Sequence, residues 1–227
     1  MASIQGRASI AVAGGGRTVT AGDTTALPAW STSKVPLVMA ALKKSPQQGV
    51  TAPMRAAIIN SDNAAAETIW ASLGTADQAA GVVTQVLRDG GDQSTAVPAQ
   101  KTRPEYSVFG QTMWADDAAA GFAARLPCSA EGRTVVDLMR KVDANQQWGA
   151  AGSIGTEPVG VKGGWGPGTD GAYLVRQLAV LRTERGTTGL MMSVRPSDGS
   201  FASGRAALTR LAETVHAQLG ALPAGSC

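Results

Sequence analysis

The sequence predicts an α+β fold: an antiparallel sheet of about five strands drawn from both chain ends, a closing helix, and an all-helical insertion between them. Three observations predict it. Near the start, the short β-branched runs Ser9–Ala13 and Arg17–Ala21 flank Gly14-Gly15-Gly16, the pattern of a hairpin. From about residue 31 to 152 the apolar residues return mainly at helical spacing. After Gly152 come three glycine-punctuated strands and a last amphipathic stretch.

Taken in order, Trp30-Ser31-Thr32-Ser33-Lys34-Val35-Pro36 opens a helix running to about Lys44, with Ser31 as its N-cap and Pro36 tolerated in the first turn. Ala52–Asn60 and Ala64–Leu73 predict two helices split by Ser61-Asp62-Asn63, and Ala79–Arg88 a third that Gly90-Gly91 stops. Thr95–Gln111 has no clear period and reads as loop. Asp116–Leu126 and Thr134–Trp148 return to helical spacing. The strands fall at Pro158–Gly164, Gly171–Leu181 and Gly189–Arg195, and the final helix at Ser203–Leu219. One domain results, with a sheet lobe over about 1–30 and 153–227 and a helical lobe over about 31–152.

A length of 227 residues and a 44% hydrophobic fraction suit a globular chain with a real core. The net charge of +3 is mild and scattered, without a basic block or aromatic–basic interleaving, which argues against nucleic acid. No apolar run is long enough to span a membrane. Met1-Ala2-Ser3 shows no charged n-region or apolar h-region, so the chain is expected either to be cytosolic or to follow a cut signal peptide. Cys128 and Cys227 stand in no metal-ligand spacing; they are either two unrelated thiols or a disulfide pinning the C-terminus in an oxidising compartment. The single histidine, His216, lies late in the last helix and reads as structural or solvated, which disfavours a Ser-His-Asp triad. No metal or cofactor is expected.

The chemistry lies in three short elements in order: Ser31-Thr32-Ser33-Lys34, Ser61-Asp62-Asn63 and Lys162-Gly163-Gly164. On a helix, residues three apart share a face, so Lys34 Nζ is expected to reach the Ser31 hydroxyl. A lysine held in a partly desolvated, cation-rich cleft loses its proton and serves as the base a serine needs. A helix start adds positive partial charge and a free N–H for a developing oxyanion.

With the hairpin before them and the closing helix after, these elements resemble the S-x-x-K, S-D-N and K-T-G signature of the penicillin-recognising serine hydrolases, the serine β-lactamases and D-Ala-D-Ala peptidases, over nearly the whole chain. The resemblance implies a β-lactamase/transpeptidase-like fold and Ser31 as nucleophile. It implies Lys34 as base, Ser61 as proton relay to the leaving nitrogen, and Asn63 as partner of the substrate amide. It implies Lys162 as the charge for a substrate carboxylate, Gly164 as a point of close approach, and the N–H of Trp165 with that of Ser31 as oxyanion hole. Asp62 would brace its loop.

Three departures stand out. Gly163 occupies a position where the family carries a hydroxyl that binds the carboxylate, which reassigns that contact to a group such as Thr169 or Arg176. Ser31 and Ser61 also lie only thirty positions apart, which implies a pared-down helical lobe. For the deacylating glutamate of class A enzymes, Arg103-Pro104-Glu105 echoes Arg-x-Glu, making Glu105 the candidate, although Tyr106-Ser107 replaces the expected Leu-Asn.

Three functions follow. The first is a β-lactamase-like hydrolase forming an acyl-enzyme with a β-lactam or related amide and deacylating slowly. The second is a cell-wall peptidase acting on a peptidoglycan stem-peptide fragment. The third is a non-turnover binding or sensing module. A secreted or cell-envelope location is expected.

Overall fold

The computed structural model describes residues 4–23, 25–153 and 159–227. Five strands form one antiparallel sheet in the order β2-β1-β7-β6-β5, with β1 at Gly6–Gly14, β2 at Arg17–Gly22, β5 at Gly160–Pro167, β6 at Tyr173–Thr183 and β7 at Gly186–Pro196. The first hairpin therefore docks on the last strand, and the chain ends meet in the middle of the sheet. A two-residue pair, β3 (Leu27–Pro28) with β4 (Met113–Trp114), forms a second small sheet that the sequence did not signal. The predicted strand start at Pro158 lies outside the described residues.

Between β3 and β5 run α1 (Lys34–Lys44), α2 (Ala52–Arg55), α3 (Asn63–Ser72), α4 (Ala76–Asp89), α5 (Asp116–Arg125), α6 (Ala130–Met139) and the short α7 (Ala150–Ser153); α8 (Phe201–Ala217) closes the chain. Local chemistry sets several of the starts. Asp62 caps α3 by accepting from Ala65 N, Thr75 and Gln78 form a capping box on α4, and Ser129 and Ser200 cap α6 and α8.

Two departures from the sequence reading shape the site. The run Thr134–Trp148 is not one helix: α6 ends at Met139, and the chain bends because Asp143 N and the Gln146 amide both donate to Ile59 O. Long-range bonds there win over helical continuation. The stretch Ala52–Asn60 is α-helical only to Arg55; Ala56–Asn60 forms a π-helical turn, a rare element that is frequent at functional sites.

The sheet separates two cores. On one face, α1, α3, α4, α5 and α6 bury Val35, Leu37, Ile58, Trp70, Leu87 and Phe122 against sheet residues such as Leu178 and Met191. On the other, α8 buries Leu208, Ala212 and Val215 against Val161, Val175 and Leu190. The alanine-rich α5 lies directly on β1 and β7. A β-carbon at Gly189 would collide with the Ala120 carbonyl and Ala124 amide, so the contact demands glycine.

Cys128 and Cys227 are joined as a disulfide, which ties the chain terminus to the turn after α5. No helix among the described residues is long and apolar enough to cross a membrane.

Candidate active site

Ser31 does not cap α1. It sits within a 3₁₀ turn, Trp30–Ser33, that leads into the helix, and Ser33 holds the N-cap position without a capping bond, its hydroxyl donating back to Trp30 O instead. Trp30, just before it, has a positive φ of 49°. A non-glycine residue held in this conformation costs about 1–3 kcal/mol and persists only where its surroundings enforce it. Here the Trp30 ring packs onto Gly166 of β5, where any side chain would collide with it.

β5 comes equally close one step earlier. A β-carbon on Gly164 would stand 2.8 Å from Ala29 O and 3.1 Å from Ser31 N. The glycine thus brings the strand edge, and the backbone of Trp165 after it, against the Ser31 turn.

The centre of the site is Ser61. It ends the π-helical turn in the left-handed conformation (φ 57°, ψ 33°), so its carbonyl and hydroxyl both turn toward buried amines. Lys34 Nζ donates to Ser61 O at 2.6 Å, to Asn63 Oδ1 at 2.6 Å, and more distantly to Ser61 Oγ at 3.4 Å. Lys162 Nζ donates to Ser61 Oγ at 2.8 Å, Gln146 Oε1 at 2.6 Å and Gly163 O at 3.0 Å. The expected direct bond from Lys34 to Ser31 is replaced by these bonds to the Ser61 corner; none to Ser31 forms among the described residues.

Both lysines are fully buried. Loss of water lowers the pKa of Lys34 to about 8, against the opposing pull of Asp62 and Glu67. Burial, and then the charge of Lys34, pushes Lys162 well below the ordinary lysine range. Two cations sharing one hydroxyl in a dry site hold at least one proton weakly.

Ser31 and Asn63 line a cleft of about 250 Å³, and Trp165 stands on its wall. Glu105 is not brought there. Its side chain is 54% exposed and paired with Arg103, whose guanidinium also stacks over Tyr106. Arg176 is not a carboxylate reader either. It is buried in the sheet, donating to Leu27 O, Pro28 O, Trp114 O and Asp116 Oδ1. Thr169 is exposed in the turn between β5 and β6, off the cleft wall. His216 lies exposed on α8, also away from it.

The departure at Gly163 has a physical cause: a β-carbon there would meet the Trp148 ring at 2.7 Å, so the indole excludes any side chain. Gln146 and Trp148 carry no motif of their own, and both fall inside the run that reads as one helix. Among the described residues no group of three or more His, Cys, Asp or Glu could hold a metal ion.

No protein-family model matches the chain, and no curated protein matches it by sequence. Solved structures do match. A representative of class A β-lactamase from Bacteroides cellulosilyticus superposes with a TM-score of 0.79 at 14% identity, covering 96% of this chain and 94% of that one. A variant of the last common ancestor of Gram-negative bacterial class A β-lactamase gives 0.74 at 22% identity, covering 95% and 94%. The fold is that of the class A β-lactamases. L2, solved in complex with relebactam, gives 0.74 at 20% identity, covering 95% and 92%. At such identities the likeness establishes the architecture, and the chemistry of this class A fold rests on its own residues.

Proposed function

We propose that the chain is a serine hydrolase of the β-lactamase type, forming an acyl-enzyme on Ser31 with a β-lactam or related amide and releasing it slowly. The observation that carries this is the Ser61 hydroxyl held by two buried lysine amines beside a cleft that Ser31 lines. Relebactam bound to the same architecture in L2 supports a small-molecule ligand of this kind.

In the proposed step, neutral Lys34 takes the Ser31 proton as the bond from Oγ to the carbonyl carbon forms. The backbone N–H groups of Ser31 and Trp165 hold the oxyanion. Collapse breaks the carbon–nitrogen bond. The nitrogen takes its proton from Ser61, which regains one from the lysine pair. Asn63 gives its carbonyl oxygen to Lys34, leaving its amide N–H for the substrate. Lys162 acts by holding Ser61, to which it donates at 2.8 Å, while Gln146 Oε1 and Gly163 O take its other two bonds.

Slow release follows from Glu105: a carboxylate that is exposed and ion-paired off the cleft wall does not hold a water against the acyl carbonyl. The same observation favours, as a second reading, a D-Ala-D-Ala peptidase or a capture module, which need no such base. The disulfide supports a secreted or cell-envelope location.

Incubation with a fluorescent penicillin should give one adduct by mass, absent in Ser31→Ala, that persists while nitrocefin turnover stays far below the enzyme median of ~10 s⁻¹. An adduct unaffected by Ser31→Ala overturns the acyl-enzyme reading. Rapid turnover overturns slow release alone.

The acylation rate should also follow the Lys34 amine. With a pKa of about 8, the base is mostly protonated below that pH, so the rate should rise roughly tenfold per unit as pH increases and level off above 8. A flat profile of single-turnover acylation between about pH 6 and 9 would remove Lys34 as the base.

A further inference from the structure

We infer that the preferred substrates carry an aromatic acyl substituent and no free carboxylate, an inference that rests on the acyl-enzyme reading above. The cleft in front of Ser31 is walled by Trp30, Tyr106, Phe109, Trp165 and Tyr173. These are half of the aromatic residues in the chain and include both tyrosines. Other rings brace them. Trp30 and Tyr106 meet edge to face with centroids 4.9 Å apart, and Phe201 backs Trp165 at 5.0 Å and Tyr173 at 6.1 Å. A phenyl group entering beside Ser31 meets prearranged ring faces and edges, and little ordering of the walls opposes its binding.

Charge runs the other way. Among the described residues, no Lys, Arg or His lines this cleft, and the remaining residues, 1–3, 24 and 154–158, contain none. Arg103 stands at the rim, but Glu105, Pro167 O and the Tyr106 ring already engage its guanidinium. Lys162 is enclosed by Ser61, Gln146 and Gly163 O, and Trp148 excludes a hydroxyl-bearing side chain at position 163. A carboxylate drawn into this cleft leaves water without a cationic side chain on the wall to pair with directly, because Lys34 and Lys162 lie behind Asn63 and Ser61 with their amines bonded there, and this opposes its binding.

The test compares three probes by their rates of Ser31 acylation, read as adduct mass over time: benzylpenicillin, its methyl ester, and the methyl ester of the acetamido analogue, each rate divided by that of the compound with hydroxide. The methyl ester of benzylpenicillin should react about tenfold or more faster than the free acid, and about tenfold faster than the acetamido methyl ester, the return of one well-placed ring contact. Tyr173→Ala should lower the benzyl-to-acetamido ratio. If the free acid reacts as fast as its ester, or the acetamido ester as fast as the benzyl one, this substrate assignment is overturned while Ser31 acylation stands. If no probe acylates Ser31, the acyl-enzyme reading fails and takes this inference with it.

Discussion

Lys34→Ala should acylate ~10²–10⁴-fold more slowly than the parent chain, the usual loss on removing a general base. Lys34 is fully buried and carries its proton loosely, with a pKa of about 8, so about one molecule in ten presents a free amine at pH 7. Its position is fixed by the Ser61 carbonyl and the Asn63 amide oxygen rather than by the nucleophile. A loss of rate in Lys34→Ala alone leaves open a role in holding that corner together. Lys34→Arg separates the two: it keeps a cation and hydrogen-bond donors, but a guanidinium does not give up its proton in a protein. Acylation should stay low in Lys34→Arg, with far-UV circular dichroism unchanged. Lys162→Ala should lose less, because Lys162 acts through Ser61. Acylation of Lys34→Ala at the parent rate would remove the assignment.

The largest effect on stability is expected at Arg176→Met, a loss of about 3–5 kcal/mol. Its guanidinium ties Asp116 at the start of α5 to the carbonyls of Leu27, Pro28 and Trp114, joining the small β3–β4 pair to the main sheet. The ion pair is completely buried, and Asp116 also accepts from Ser9 and Ser193. Without the arginine, that carboxylate is left in a dry site with hydroxyl donors only. For a domain of this size the loss should lower Tm by roughly 10 °C. Pairing Arg176→Met with Asp116→Leu should recover part of it, because removing both charges is far less damaging than stranding one. A Tm within about 2 °C of the parent, with weakened selectivity for anionic ligands instead, would return Arg176 to the role of carboxylate reader that the sequence offered it.

Much of the architecture was readable before the fold was known. The hairpin, three late strands and closing helix show in periodicity and glycine placement, and Ser31, Lys34, Ser61 and Lys162 show in short motifs. What escaped is decided by long-range partners. Ala56-Ala57-Ile58-Ile59-Asn60 reads as ordinary helix, yet it widens into a π turn, and Ile59 O accepts two bonds from the segment at 143–146. Gln146 has no local signal, because its meaning comes from Lys162 Nζ sixteen residues away. Gly163 reads as a lost hydroxyl until the Trp148 ring is found in the space where a side chain would stand. Asp116 and Arg176 lie sixty residues apart and become a pair only in the folded sheet.

The bond between Cys128 and Cys227 turns the second half of the molecule into a closed covalent ring holding α6 to α8, β5 to β7, Gln146 and Lys162. Ser31, Lys34, Ser61 and Asn63 belong to the open arm outside it. The arm adheres through the β1–β7 pairing, the packing of α1, α5 and α6, and the seat of the Ser31 turn on Gly164. Closing a loop of 99 residues restricts the unfolded ensemble of the ring and leaves that of the arm unrestricted. Partial opening should therefore begin in the arm, so that Ser31 parts from Gly164, and Ser61 from Lys162, before the ring itself loosens.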